Sequence, residues 1–290
     1  ACFRDWISGL AGVVAGVVAI DGKTACGSRD GHNTALHTVS AYATASGLCL
    51  GQEHTRGKGH EIPAIKALLD TLALKGCIVT IDAIGCQTEI ARKILDRGGD
   101  YLLAVKDNQK DLADALREFF ADGEPRGFGS LPVSRFQSLE KAHGRIETRQ
   151  AMWVTNLSWL DKKLREHWPK LAGLGMIERQ REINGAVSTE RAYYIGSQGI
   201  KSAESFAKAA RDHWGIENSL HWVLDIAFRE DDCRVRKDHA PHNFAALRKF
   251  ALALLRKDTQ FPKRSLRSRR KTAERLPDYR ASLRGLSSPS

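Results

Sequence analysis

The sequence lacks paired cysteines, long apolar runs and internal repeats. Its six cysteines are scattered with no CxxC pair, which argues against a disulfide framework and predicts reduced thiols in a cytoplasmic protein. No run reaches the roughly 18 apolar residues that a membrane helix needs, so we expect no membrane-spanning helix. The apolar run from Leu10 to Ile20 lacks the basic start and cleavage motif of a signal peptide. It fits a buried strand better.

Acidic residues are few relative to basic ones. The 290 residues include 45 Lys and Arg against 34 Asp and Glu, a formal net charge of +11. This excess favours a polyanionic partner, either nucleic acid or an anionic membrane. The segment from Arg248 to Arg284 is strongly basic and is interpreted either as a solvated tail or as a surface that holds DNA. An apolar content of 42% with 27% charged residues excludes wholesale disorder.

The order of apolar patterns predicts an α/β protein with a mixed sheet flanked by helices. Strands are predicted at 13–20, 37–44, 48–54, 77–81 and 101–105, and helices at 63–76, 88–95 and 111–120. Gly and Pro then cluster at 123–132, and strand-like pieces follow at 146–154, 176–183 and 192–195. This part is interpreted as a β-rich insertion. A long helix from Ser202 to about Leu224 and another over 242–255 come after it.

These patterns predict four parts along the chain. Residues 1–122 would form the first part of a catalytic core, and residues 123–198 the β-rich insertion. Residues 199–256 would complete the core, and residues 257–290 would form a basic C-terminal tail.

Two aspartates follow buried strands. Asp21 ends the apolar run Val-Ala-Ile, and Asp82 ends Val-Thr-Ile. A carboxylate at the end of a buried strand costs desolvation energy unless it is paired or binds a metal. An acid in this position can also be a simple turn residue, so the pattern alone leaves both interpretations open.

Glu217 is the third candidate acid. If the helix from Ser202 is continuous, Glu217 shares a stripe with the apolar residues Phe206, Ala210, Leu220 and Leu224 and faces the core. The alternative is a structural glutamate satisfied by His213 or His221, each one turn away. Three carboxylates that converge would repel each other unless cations lie between them. Mg²⁺ suits such oxygen ligands, with Mn²⁺ as a substitute, and two such ions would support phosphodiester cleavage.

The sequence resembles the ISAs-type insertion-sequence transposases, which include the H-repeat-associated proteins. The resemblance rests on AIDGKT (19–24), VTIDAIGCQ (79–87), AVKDNQ (104–109), HGRIETR (143–149), HWGIENSLHW (213–222), LDIAFRED (224–231) and NFAALR (243–248). It covers nearly the whole chain in order, and the block around Glu217 is highly specific.

The resemblance implies a ribonuclease-H-like fold with a β-rich insertion before the helix that carries the last acid. It implies that Asp21, Asp82 and Glu217 are a DDE carboxylate triad that binds Mg²⁺. The expected activity is that of a DNA transposase, with metal-dependent phosphodiester hydrolysis and strand transfer. The expected partner is double-stranded DNA at the element ends and target, bound at the nucleoid. A homodimer on DNA is expected because two ends must be joined.

Several residues are candidates for contacts with DNA. Lys106 and Asn108 follow the strand at 101–105, and Arg145 and Arg149 lie at even spacing on one strand face. The broader superfamily has Tyr, Arg and Lys where this chain has Ala210, His213 and Leu224. The contact with phosphate is therefore predicted to come from Arg211, His213 or a residue of the insertion. Each of these residues could equally be an ordinary surface or packing residue.

Two alternative functions remain at this point. Because the chain begins with Ala1 rather than Met, one alternative is an inactive, truncated remnant that binds DNA without cutting it. The other is a structure-selective nuclease that uses the same metal site without strand transfer.

Overall fold

The computed structural model describes residues 14–29, 31, 34–55, 57, 59–142 and 144–285. Several predictions fall partly outside them: the first strand at Val13, the HGRIETR block at His143, the first part of the core at 1–13, and the basic tail at 286–290. The chain divides into two compact units. Of the described residues, unit 1 contains 21–71 and those from 215 onward, and unit 2 contains 14–20 and 72–214. The first strand passes from unit 2 to unit 1 at Asp21.

Nine strands and nine α-helices are formed by the described residues. The strands are β1 Gly16–Ala25, β2 Leu36–Ala43, β3 Leu48–Thr55, β4 Cys77–Ile81, β5 Asp100–Val105, β6 Val133–Ala142, β7 Arg145–Val154, β8 Gly173–Ile183 and β9 Ala186–Gly196. The helices are α1 Glu61–Leu69, α2 Thr88–Asp96, α3 Lys110–Gly123, α4 Lys162–His167, α5 Ala203–His213, α6 Trp222–Phe228, α7 Ala240–Lys257, α8 Leu266–Arg275 and α9 Pro277–Leu283.

The sheet of unit 2 has the strand order β1-β4-β5-β9-β8-β7-β6. β1, β4 and β5 are parallel, and the pairs from β5–β9 to β7–β6 are antiparallel. In unit 1, β2 lies next to β1 and forms an antiparallel hairpin with β3. Three strands followed by helix-linked parallel strands are typical of the ribonuclease-H-like fold. The predicted fold class, with a β-rich segment before the last helices of the domain, is confirmed.

The core of unit 2 lies between α5 and the sheet. Trp153 on β7 and Phe206 on α5 are both buried, with ring centroids 4.9 Å apart. Gly175 on β8 leaves room for both rings, because a Cβ there would lie 2.6 Å from Trp153 and 2.7 Å from Phe206. The small residues Ala203, Ala209 and Ala210 complete this cluster. Close packing therefore fixes α5 on strands β7 and β8.

The core of unit 1 forms around the β2–β3 hairpin, with α1 and α7 against it. Lys249 on α7 is buried and donates from Nζ to Gln52 Oε1 at 2.6 Å. Arg256, near the end of α7, donates to the Tyr42 hydroxyl at 3.1 Å and to the backbone carbonyls of Gly47 and Ser219. These bonds connect α7 to the hairpin and to the turn that carries Glu217.

Four local predictions differ from the structure. The helix predicted over 63–76 ends at Leu69. β1 does not end at Asp21 but continues to Ala25, because strand pairing follows the backbone while the apolar pattern stops at Ile20. Strand β6 was not predicted, since most of its side chains are exposed or half-buried and give little apolar signal. The predicted helix over 202–224 is interrupted at Trp214 and continues as a π-helical turn.

A helix that crosses a bilayer must be both long and apolar. Within the part of the chain that the structure describes, no helix combines these two properties.

We expect the stability of unit 1 to depend on pH through His54. Burial first, and then His242 and Lys249, lower the pKa of His54 from 6.5 to about 4. The His54 and His242 ring centroids lie 4.0 Å apart. At pH values between about 4 and 6.5, His54 is protonated in the unfolded chain and neutral in the folded chain. The contribution of neutral His54 to the free energy of unfolding is therefore fully present above about pH 6.5. The free energy of unfolding should fall by about 2 kcal/mol between pH 7 and pH 5.

Urea unfolding at pH 7 and pH 5 measures this effect. The wild-type midpoint should drop more than that of His54→Gln, which cannot titrate. His167→Gln, an exposed histidine in unit 2, is the matched control and should behave like wild type. Equal pH dependence in all three proteins would contradict the assignment.

Candidate functional site

Parallel strands β1 and β4 place two isoleucines side by side within unit 2. Their register runs from Gly16–Cys77 to Ile20–Ile81, and both isoleucine side chains are buried. Each isoleucine is followed in the sequence by an aspartate, Asp21 after Ile20 and Asp82 after Ile81. The two acids predicted from the sequence therefore continue from paired positions on adjacent strands.

Asp82 is exposed and begins a tight turn. Its carbonyl accepts from Gly85 N–H at 3.1 Å, but its carboxylate makes no capping hydrogen bond. A Cβ at Gly85 would lie 2.3 Å from Ile81 Cγ2, so this turn can fold against the strand only with glycine there. The backbone forms the turn without using the acidic side chain, which remains open to a ligand.

A second turn braces the loop that follows Asp82. Asn108 donates from Nδ2 to the Ala83 carbonyl at 2.7 Å, and Gln109 donates from Nε2 to the Cys86 carbonyl at 2.9 Å. Asn108 was predicted to contact DNA, and its amide nitrogen has this structural partner. Lys106, at the start of the turn, is exposed, and its predicted contact with DNA stays a prediction.

His213, at the end of α5, lies beside β4 in unit 2. Its Nδ1 is 3.0 Å from the Thr80 hydroxyl. Burial lowers the pKa of His213, and the nearby Asp82 carboxylate opposes that shift in part. His213 therefore belongs to the surroundings of Asp82. Its predicted contact with phosphate stays a prediction.

Asp21 lies in the middle of β1, at the start of unit 1. Its side chain is 22% exposed, and Asp21 Oδ2 is 3.6 Å from Nδ1 of the largely buried His221. Sequence spacing suggested His221 as a partner for Glu217, whereas the structure pairs it with Asp21. These two residues are 200 positions apart, and no local pattern could have joined them.

Glu217 lies on the π-helical turn Ile216–His221, and its side chain is exposed. The prediction that it shares the core-facing stripe is therefore wrong. Stripe geometry assumes 3.6 residues per turn, whereas a π-helical turn closes its hydrogen bonds over five residues and rotates the side chains relative to that stripe. Ile216 and Leu220 take the buried positions instead. Such turns occur frequently at functional sites.

Lys23 is the centre of an ion-pair network that was not predicted. Its Nζ lies 2.8 Å from Asp225, 3.1 Å from Asp231 and 3.7 Å from Glu230. The side chain is only 11% exposed. Lys23 follows Asp21 by two residues, so strand alternation places both side chains on one face of β1. This spacing could have identified Lys23 as a neighbour of the candidate acid. Its partners come from far along the chain and could not have been predicted.

The three arginines that were predicted to bind DNA have different surroundings in unit 2. Arg149 is paired with Glu140 at 3.2 Å and with the buried Glu147. Arg211 is paired with the same Glu140 at 2.8 Å. Arg145 is exposed at the start of β7. Arg149 and Arg211 thus share one acidic partner, which a phosphate would have to replace.

The carboxylates differ in their fitness for a metal ion. Among the described residues, no three His, Cys, Asp or Glu side chains form a group that could hold one. Asp82 and Glu217 nevertheless offer exposed carboxylates outside any lysine or arginine ion pair of the described residues. Hard oxygen donors of this kind suit Mg²⁺. Asp225, Asp231 and Glu230 do not fit, because Lys23 already neutralises part of their charge.

Comparison with known proteins identifies related chains. A family model described as "Transposase DDE domain" matches residues 14–254. "Putative transposase YncI" of Escherichia coli O157:H7 is 40% identical over 260 residues, covering 88% of this chain and 65% of that protein. "H repeat-associated putative transposase YhhI" of Escherichia coli K12 is 37% identical over 289 residues, covering 97% of this chain and 75% of that protein. The family resemblance inferred from the motifs is confirmed.

One solved structure also aligns with most of the chain. It is a piggyBac transposase in a synaptic complex with hairpin DNA, determined by cryo-EM. The alignment covers 96% of this chain and 59% of that chain, with 9% identity and a TM-score of 0.47. Both Escherichia coli relatives are longer than this chain, which spans about two thirds of YncI and three quarters of YhhI.

Proposed function

Because the chain belongs to the family of transposases with a DDE domain, we propose that it cuts and joins DNA with the acids Asp21, Asp82 and Glu217. In the first step, water attacks a phosphodiester phosphorus at the element end, and the 3′ oxygen leaves as a hydroxyl. In the second step, that hydroxyl attacks a phosphorus of target DNA, and the target's own 3′ oxygen leaves. Each step exchanges one P–O bond for another.

The pairing of Ile20 with Ile81 carries this proposal. On these two buried parallel strands the paired isoleucines are each followed in the sequence by an aspartate, Asp21 within β1 and Asp82 directly after β4, and we propose that both carboxylates are metal ligands. The proposed site also requires Glu217, whose exposed position on a π-helical turn supports a role other than packing.

Mg²⁺, with Mn²⁺ as a substitute, is the proposed cofactor. Asp21, Asp82 and Glu217 would hold it through their carboxylate oxygens. When bound, such ions activate the attacking oxygen and stabilise the leaving oxygen of an in-line displacement. The three acids would otherwise repel each other, so we expect divalent ions to raise the thermal stability of the protein as well as to support cleavage.

The remaining residues would position the DNA and the acids. Asn108 and Gln109 hold the loop after Asp82, so that the carboxylate is oriented before the substrate binds. Lys106 and Arg145 are exposed cations that would contact the backbone of double-stranded DNA. Arg149, Arg211 and His213 would do so after exchanging their present partners. Joining two ends further implies a homodimer on DNA.

Cleavage of end-labelled duplex DNA from the borders of the element tests the proposal. We expect nicking with Mg²⁺, no nicking with EDTA, and joined products when target DNA is added. A melting-temperature series with Mg²⁺ provides a readout of metal binding that does not depend on activity. Absence of both cleavage and a Mg²⁺-dependent shift would overturn the proposal.

A further inference from the structure

Most of the net charge of the chain lies in one short segment. Residues Lys263 to Arg284 contain nine basic residues and two acids, Glu274 and Asp278. This surplus of seven compares with +11 for all 290 residues. The segment was predicted to be a tail, but α8 and α9 show that most of it is helical.

A buried arginine attaches this segment to the end of α7. Arg269 donates to the carbonyls of Leu255 at 2.8 Å, Pro262 at 2.7 Å and Arg264 at 3.0 Å. Leu255 belongs to the last turn of α7, whose carbonyls have no partner within the helix. The Tyr279 hydroxyl, near the start of α9, adds a bond to Asp258 at 2.8 Å. The basic segment is therefore a folded part of unit 1.

The opposite face of α8 carries a row of cations. Arg267, Lys271 and Arg275 follow each other at four-residue intervals, so they lie along one side of the helix. Arg269 is about 200° around the helix from Arg267, which explains why it is buried while the row is exposed. The three cations form no ion pair with another described residue.

We propose that Arg267, Lys271 and Arg275 form a ridge that binds the phosphates of duplex DNA outside the acidic site. The inference rests on the proposed function only for the nature of the partner. Successive turns of the helix place the cations about 6 Å apart, a spacing that matches a row of phosphates rather than a single anion. An anionic membrane is disfavoured, because an interfacial helix needs large apolar residues on its bound face and α8 has only Leu266.

The salt dependence of DNA binding tests the ridge. Fluorescence anisotropy with a labelled random-sequence duplex gives the slope of log K against log[KCl]. The triple variant Arg267→Ala/Lys271→Ala/Arg275→Ala should reduce the steepness of that slope by about 2.7, since each phosphate contact contributes about 0.9. At about 0.1 M salt, affinity should fall roughly 10²-fold, equally for unrelated sequences.

Two control proteins make the result specific. Lys162→Ala/Lys163→Ala/Arg165→Ala removes three cations from α4 in unit 2 and should leave the slope close to that of wild type. Asp82→Asn should also retain the slope. Loss of cleavage and loss of DNA binding by the ridge are therefore measured separately. Circular dichroism should show an unchanged melting curve for the triple variant, because Arg269 is intact.

Three outcomes would overturn the proposal that the ridge binds DNA. One is a triple variant that keeps the wild-type slope, whatever its cleavage activity. Another is an equal loss of slope in the α4 variant, which would indicate a general effect of net charge. The third is binding to phosphatidylserine vesicles that the triple variant loses while DNA binding is unaffected, which would assign the ridge to a membrane.

Discussion

Replacing Asp82 by Asn should lower the rate of DNA end cleavage by about 10³-fold or more and leave DNA binding unchanged. The substitution keeps the size of the side chain and removes the charge that a divalent ion requires. Metal stabilisation of the displaced oxygens is worth several kcal/mol, and each 1.36 kcal/mol corresponds to a factor of ten in rate. Asp82 is exposed and makes no capping hydrogen bond, so the fold should not respond.

Asp107→Asn is the matched control for this experiment. Asp107 lies in the turn that braces the Asp82 loop, is 81% exposed, and pairs with Arg117 at 2.6 Å. It undergoes the same chemical change near the site but should cleave like wild type. Asp21→Asn and Glu217→Gln should show the large loss seen with Asp82→Asn.

The possible outcomes also separate the proposed function from its alternatives. Cleavage by Asp82→Asn at the wild-type rate would remove Asp82 from the site. DNA binding without cleavage by the wild type would indicate an inactive remnant. Cleavage that never yields joined products would indicate a structure-selective nuclease. Joined products that disappear when any of the three acids is replaced support the transposase.

Replacing Lys23 by Met should destabilise the protein by about 3–5 kcal/mol. Lys23 Nζ lies among three carboxylates, of which Glu230 is only 4% exposed. Removing the cation leaves Glu230 buried with Arg248, at 3.7 Å, as its remaining cation, and breaking a buried ion pair from one side costs up to about this much. Because Lys23 and Asp21 are two residues apart on β1, cleavage should fall as well. Urea unfolding of the variant measures the stability change.

The charge of Lys23 explains both the expected loss of stability in Lys23→Met and how that loss depends on pH. Burial lowers the pKa of Lys23, but hydrogen bonding and attraction from Asp225, Glu230 and Asp231 raise it above 10.5 overall. A raised pKa stabilises the fold at all pH values below about 10.5, and the stabilisation is lost as the pH rises through the folded value. The difference between wild type and variant should stay constant from pH 6 to pH 9.

Two further variants test the origin of the effect. Lys75→Met removes an exposed lysine and should change stability by less than about 0.5 kcal/mol. Combining Lys23→Met with Asp225→Asn should recover part of the loss, since a repelling charge is removed with the cation. If the double variant were as unstable as the sum of both single variants, the network would not be the cause.

Local patterns were sufficient for much of the fold. The apolar pattern over 77–81 predicted β4 at the bounds that the structure has, and the hairpin of β2 and β3 followed from alternation around Gly47. The aspartates after Ile20 and Ile81 could also be identified from the sequence alone, because an apolar run that ends in an acid is visible directly in the chain. Both signals lie within a few residues, where sequence and conformation are tightly coupled.

The sequence by itself determined the order of the first five strands and the first three helices, the family and the two aspartates that follow buried isoleucines. Only the tertiary structure decided that Glu217 is exposed, that His221 lies beside Asp21, and that Lys23 is held by acids 200 positions away. It also decided that the basic segment folds onto α7 through Arg269. Periodicity describes a residue relative to its own helix or strand. It cannot show which distant charges will meet when apolar surfaces pack.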